Sequence, residues 1–283
     1  MKGLFVGLTT LDLSYYIQSL PVEDSKSYSN KQVIIPGGMA MNASIAFSSL
    51  GADSSLITII GKRFRSFIDD YLESIEQNID IQDIVLSESQ SLPIASIIIN
   101  ISNGSRTIFN PPLSNFSISS PEIDLAEYEI VMVDGFYPEL AIPIARNAKE
   151  HNIPVVMDSG SWKPQMDLLL KFVDYLIVPR SFRPPHSTSF EDAKSYLSSY
   201  GFKGLAFTDG ANHVLACQNN TDYFIDPIKI TCKDSLAAGD IMHGAFCYHY
   251  LHDHNFLKSL EAAMLTASES CKYDGPHEWI KNL

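Results

Sequence analysis

The sequence predicts an α/β protein of three layers, α/β/α, with a mostly parallel central sheet and a small β-lid beside it. Three observations predict this. Short apolar runs at 4–8, 56–60, 130–133, 155–157, 175–178 and 205–208 alternate with helical patterns. Such a βα rhythm builds a parallel sheet covered on both faces by helices. Two stretches, about 13–35 and 92–110, break the rhythm by alternating polar with apolar residues, and Asn103-Gly104 supplies a turn between strands. Finally, 45% of the 283 residues are hydrophobic, enough for a large core within one domain spanning 1–283.

Taken in order, residues 4–8 read as a first buried strand. Residues 38–50 read as a helix because Ala40, Ala43, Phe47 and Leu50 recur at three and four, and Gly51 stops it. Residues 56–60 form the next strand. The helical patterns at 138–150, 164–172 and 190–200 separate the later strands. The tail from about 239 to 273 reads as two consecutive helices. The lid segments are expected to be antiparallel strands over the carboxyl ends of the parallel strands, where ligands bind in such sheets.

Composition limits the function. The formal net charge is -13, so the surface repels nucleic acid and anionic lipid, and neither is expected as a partner. No apolar run approaches the roughly 18 residues of a membrane span. The N-terminal apolar run is too short for an export signal. Cys217, Cys232, Cys247 and Cys271 form no Cys-x-x-Cys pair. Reduced thiols in a cytoplasmic protein are the expectation.

The strongest chemical signal is Asp234-Ser235-Leu236-Ala237-Ala238-Gly239-Asp240, followed at once by a helical pattern. Small side chains let an anion reach backbone N–H groups at a helix start, where the helix dipole adds positive potential. A carboxylate beside a bound phosphate can take the proton of an attacking hydroxyl, which makes Asp240 a candidate base. Asp is also a favoured helix cap, so an isolated Gly-Asp would mean little. The second signal is Pro36-Gly37-Gly38-Met39-Ala40-Met41-Asn42, where a Gly pair opens a helix and Asn42 lies one turn in. An amide there can bond sugar hydroxyls.

Together these stretches resemble the two signatures of the ribokinase-like, or phosphofructokinase-B type, carbohydrate kinases, with ketohexokinase-type members closest in pattern. The resemblance covers essentially the whole chain. It implies ATP with Mg²⁺ as phosphate donor, a small sugar-like acceptor, and a β-lid through which a homodimer can form. It places Asp240 as the general base and Ala237, Ala238 and Gly239 at the anion hole. Asp12, Gly37, Gly38 and Asn42 fall on substrate positions. Thr208 and Gly210 fall on the turn that lines the nucleotide, and Gly275 beside the adenine. Asp234 and Ser235 fall on positions that hold a monovalent cation such as K⁺ in several members. Arg106 on the lid and Asp134 at a strand end are further substrate candidates. Asp158 is a candidate for contact with metal-bound water or for a helix cap.

Departures from that pattern matter. Ala237 stands where Gly is usual, and costs roughly 1–2 kcal/mol if its φ is positive. The family's Asn-x-x-Glu pair is replaced by Arg180-Ser181-Phe182-Arg183, whose charges could meet phosphate directly. Two alternatives remain open on the sequence. One is a nucleoside kinase, with Phe136, Tyr137 or Phe109 as a shelf for the base. The other is a binding protein without turnover. His249, His252 and His254 near Asp253 read as a solvated helix end rather than a metal site.

Overall fold

A computed structural model describes residues 1–85, 91–112, 118 and 121–283. The large sheet has nine strands: β1 (Lys2–Val6), β4 (Asp53–Thr58), β5 (Ile79–Asp83), β8 (Ile130–Val133), β9 (Val155–Asp158), β10 (Tyr175–Pro179), β11 (Gly204–Thr208), β12 (Val214–Gln218) and β13 (Thr221–Ile225). Their order is β13-β12-β11-β10-β9-β8-β1-β4-β5. The pairs from β5 to β11 are parallel, and β12 and β13 run antiparallel at one edge.

Strand alternation divides the core in two. Phe5, Met132, Val156, Ile177 and Ala206 point to one face, where they meet α1 (Met39–Ser49), α2 (Lys62–Ser74), α6 (Ala238–Asp253) and α7 (Phe256–Ser270). Their neighbours Leu4, Val6, Val131, Val133, Met157, Leu176 and Leu205 point to the other. There they meet α3 (Pro138–Glu150), α4 (Met166–Leu169) and α5 (Phe190–Ser198). Both faces are apolar because both are covered, which produces the unbroken strand runs that the sequence displays. The three-layer α/β/α fold therefore stands.

The small sheet has the order β3-β2-β6-β7, with β2 (Thr10–Ile17), β3 (Lys31–Gly37), β6 (Ile94–Asn100) and β7 (Ser105–Phe109). It is two antiparallel pairs, but β2 and β6 are parallel to one another. An all-antiparallel lid was the expectation. The β2–β3 pair and the β6–β7 pair come from distant parts of the chain, so no tight turn dictates their mutual direction. Residues 18–30 of the first lid segment lie outside its strands.

Three other differences are local. The pattern at 164–172 yields only the single turn α4 and a 3₁₀ turn, because Gln165 takes a left-handed conformation just before it. Helix α2 and strand β5 fill 62–83, a stretch with no sequence assignment. The β12–β13 pair likewise escaped the pattern.

One crossing sets the site's depth. Helices α1 and α6 meet at Gly244, where an added Cβ would lie 2.1 Å from the Ala43 carbonyl oxygen. Only glycine allows so close an approach. The two helix N-termini that carry both motifs are thereby drawn to one end of the sheet.

Candidate active site

A cleft of about 710 Å³ opens at the carboxyl ends of the parallel strands. Its floor comes from the ends of β9, β10 and β11 and from the first turns of α1 and α6. The small sheet supplies the facing wall through Asp12, Ala95, Ile97, Arg106 and Ile108. Two other pockets, of about 180 and 380 Å³, lie on the surface away from this end of the sheet.

Ala237 precedes α6 at φ 58, ψ 11, so the left-handed conformation is required there. Its methyl group is buried against Ala46, Ile241 and Trp279, which offsets part of the strain. No side chain caps α6. Ala238 N–H reaches the Ser235 carbonyl at 3.3 Å, and Ala238, Gly239 and Asp240 of the first turn line the cleft. An uncapped helix start leaves N–H groups without intrahelical partners, and such ends suit anions.

Asp240 stands in that first turn, partly open to the cleft. Its Oδ2 accepts a 2.8 Å hydrogen bond from Asn42 Nδ2, joining the two sequence motifs directly. Burial pushes the Asp240 carboxyl up to about 7, aided by the charge of Asp158 and opposed by the Asn42 bond. Asp12 is buried, takes a bond from the Thr10 hydroxyl, and is raised by burial to about 6. Its carboxylate packs on Gly37, where a Cβ would lie 2.1 Å from Asp12 Oδ2. Gly38 sits at φ 97, with no room for a Cβ beside the Leu8 carbonyl, so the Gly-Gly pair is dictated by backbone and carboxylate alike.

Asp158 is a third acid on the floor, raised by burial to about 8. Its Oδ2 has no hydrogen-bond partner among described residues, although His243 Nδ1 lies 3.2 Å away. His243 Nδ1 also faces the Gly239 carbonyl at 2.7 Å, and Nε2 faces the Ile177 carbonyl at 3.0 Å. Burial pushes this imidazole down while those carbonyls hold it up. Asp158 caps no helix, since α4 begins after Gln165.

Several expected site residues stand elsewhere. Asp134 is fully buried and does not line the cleft. It accepts from Leu8 N–H at 2.6 Å and Phe136 N–H at 2.9 Å, tying together the loops that follow β1 and β8. Its oxygens thus accept from backbone N–H groups. Gly275 does not line the cleft either; its N–H donates to Asp234 Oδ2 at 3.1 Å. Thr208, Asp209 and Gly210 do line one end of the cleft.

Asp234 and Ser235 do not fit a monovalent cation as arranged. Asp234 already accepts from Tyr16 Oη, Leu236 N–H and Gly275 N–H. The Ser235 carbonyl and hydroxyl both accept from Arg106 Nη1, so these two oxygens already face a guanidinium. Arg106 nonetheless lines the cleft from β7. Of the two arginines after β10, Arg180 lines the cleft with its guanidinium over the Phe190 ring at 3.9 Å. Arg183 is spent on the Arg180 and Phe182 carbonyls. Of the aromatic residues proposed as a shelf, Phe136 lines the cleft, whereas Tyr137 is buried and Phe109 faces solvent.

Sequence reading missed His243 and His277. His243 shares a helix face with Gly239, a signal available from spacing alone. His277 had no signal, because its hydrogen-bond partners Asn42 and Tyr71 are distant in the chain. The His249, His252 and His254 group lies at the end of α6, away from the cleft.

A family model described as pfkB family carbohydrate kinase matches residues 2–281. The chain belongs to the pfkB family of carbohydrate kinases. Its class is therefore that of the sugar kinases, on the ribokinase-like fold. A ribokinase from Staphylococcus aureus is 27% identical, over 87% of this chain and 84% of its own length. A nucleoside kinase from Methanocaldococcus jannaschii is 25% identical, over 98% of this chain and 93% of its own. The structure of Arabidopsis thaliana ribokinase complexed with ribose and ATP superposes with a TM-score of 0.75 at 16% identity, covering 98% and 94% of the two chains. Among described residues, no helix is long and apolar enough to cross a membrane, and the four cysteines are unpaired.

Proposed function

We propose that this pfkB-family protein transfers the γ-phosphate of ATP to a hydroxyl of a small sugar or sugar-like substrate, with Asp240 as the general base. The observation that carries this reading is the meeting of the two motifs: Asn42 bonds Asp240 at 2.8 Å, at the mouth of an uncapped helix start inside the cleft. Bound ATP with Mg²⁺ would supply the phosphoryl group and neutralise much of its charge. Among described residues no group of three His, Cys, Asp or Glu could hold a metal alone, so Mg²⁺ would rest mainly on the phosphates.

The residues have separable tasks. Asp12 accepts hydrogen bonds from substrate hydroxyls, and Asn42 has a second N–H to offer. Thr208 and Gly210 line the nucleotide end of the cleft. Arg180, exposed and free of any carboxylate partner among described residues, is placed to meet the phosphate chain. Asp240 Oδ1 or Oδ2 takes the hydroxyl proton as the new O–P bond forms and the bond from the γ-phosphorus to the β,γ-bridging oxygen breaks, with ADP as the leaving group. The amides near Ala237, Ala238 and Gly239 bind the equatorial oxygens, whose charge they stabilise without reorganising. The small sheet acts as a lid that keeps water from the phosphate.

The test is ADP release from Mg²⁺-ATP over pentoses, hexoses, sugar acids and nucleosides, with Asp240→Asn beside the wild type. Turnover on one class, lost by at least about 10³-fold in the variant, is the expected result. Turnover equal in both proteins would overturn the role of Asp240. ATP binding with no turnover on any acceptor would turn the reading to a binding protein, and a preference for nucleosides over sugars would make Phe136 the shelf.

A further inference from the structure

Behind Asp240 lies a chain of hydrogen bonds drawn from four separate parts of the sequence. Asn42 Nδ2 lies 2.8 Å from Asp240 Oδ2. Asn42 Oδ1 lies 3.2 Å from His277 Nε2, and His277 Nδ1 lies 2.8 Å from Tyr71 Oη. Asn42 and His277 are both buried, and Tyr71 reaches them from α2 with its ring tilted against the imidazole at 5.7 Å.

Donor and acceptor chemistry fixes the direction of this chain. An ionised Asp240 can only accept, so Asn42 must present N–H to it. The Asn42 oxygen then faces His277, and Nε2 must carry the proton. A neutral imidazole has one N–H, so Nδ1 is bare and the Tyr71 hydroxyl donates to it. Burial keeps His277 neutral and keeps the Tyr71 phenol protonated. Reversing any one bond would set like against like in a dry site, which is costly.

The segment that carries His277 is itself braced. Trp279 Nε1 donates to the Pro276 carbonyl at 2.9 Å, and the Trp279 ring packs on Ala237 and Ile241 beneath the anion cradle. Gly275 N–H holds Asp234 on the other side. The C-terminal turn thus ties the cradle, the base and α1 together.

We infer that His277, backed by Tyr71, is a positioning residue for phosphoryl transfer: it fixes the Asn42 amide so that its N–H, not its oxygen, faces the Asp240 carboxylate. This rests on the reading of Asp240 as the base. Without His277 the amide is free to turn its oxygen towards Asp240, which removes the one hydrogen bond that favours the ionised form. Asp12 from β2, Asp158 from β9 and His243 from α6 also face Asp240. Asp134 and Lys163 act on Asp158, and Glu278 acts on Tyr71. None of these is changed by substitution at 277.

The experiment is the pH profile of kcat for wild type, His277→Leu, His277→Gln and Tyr71→Phe, with KM for ATP and the melting temperature of each. Losing one charge-assisted bond should move the acid limb of His277→Leu up by about one pH unit. From a base titrating near 7, that lowers kcat about fivefold at pH 7 and restores it above about pH 9. KM for ATP stays within about twofold. His277→Gln, whose amide can still donate to Asn42 Oδ1, should stay near the wild-type profile, and Tyr71→Phe should shift in the same direction by less. An acid limb that stays put in His277→Leu overturns the inference, whatever happens to kcat or melting. Nitrogen-15 spectra of histidine-labelled wild type at pH 8.5 provide a second readout that needs no acceptor and no variant turnover. A proton on Nε2 of His277 with bare Nδ1 supports the inference. A proton on Nδ1 sinks it, even where the acceptor panel has left the kinase reading itself without support.

Discussion

Substituting Ala237 by Gly tests how the anion cradle tolerates a residue with a side chain. The backbone there is left-handed, at φ 58 and ψ 11. An alanine in that conformation is strained by about 1–2 kcal/mol, which Gly would relieve. Two effects oppose the gain. The methyl is buried against Ala46, Ile241 and Trp279, and burial of one such group contributes about 0.8 kcal/mol. Gly also raises the entropy of the unfolded chain, by about 0.4–1 kcal/mol. The sum lies near zero, so Ala237→Gly should change the unfolding free energy by less than about 1 kcal/mol, read from urea midpoints at constant slope. If the helix start binds phosphate as proposed, turnover should be kept or raised, because removing the methyl leaves the backbone more open. Ala237→Val supplies the contrast: a β-branched side chain at positive φ should cost clearly more, about 2 kcal/mol beyond Ala. A loss above about 2 kcal/mol in Ala237→Gly would refute the argument, since it would mean that the methyl packing outweighs the backbone strain.

Two further predictions concern packing and pH. Gly244→Ala would drive a methyl to 2.1 Å from the Ala43 carbonyl, so α1 and α6 must part. A loss of at least about 3 kcal/mol in thermal or urea unfolding is expected, and a near-neutral effect would show that the crossing is loose. Asp158→Asn should flatten the dependence of stability on pH. The Asp158 carboxyl titrates near 8 when folded and near 3.8 when unfolded, so the unfolded chain releases the proton first. Its stabilising contribution is full below about pH 4 and is lost as pH rises through 8, with Asp12 and Asp240 acting in the same sense. The variant should lose about 2–4 kcal/mol less than wild type between pH 5 and 8.5; equal losses would show that Asp158 is ionised throughout.

The sequence by itself determined the layers and the two motifs. Apolar runs of four to six residues separated by helical periods admit few arrangements other than a covered parallel sheet. The runs ending at Gly38 and Asp240 are legible locally, since glycines and small residues at a helix start leave the backbone open to a ligand, although either run alone also reads as an ordinary turn or cap. What the sequence could not determine was who meets whom. Asp134 and Asp12 both follow or sit on strands and look equally fit for substrate. Only the fold shows that Asp134 spends its oxygens on two backbone N–H groups while Asp12 faces the cleft. The sign of φ at Ala237, which decided whether that alanine is strained, depends on how α6 is held against Trp279. His277 was silent for the same reason: 235 residues separate it from Asn42 and 206 from Tyr71. Periodicity and spacing report contacts within one element. Contacts between elements are set by packing, and it is packing that joined Tyr71, His277, Asn42 and Asp240 in one line.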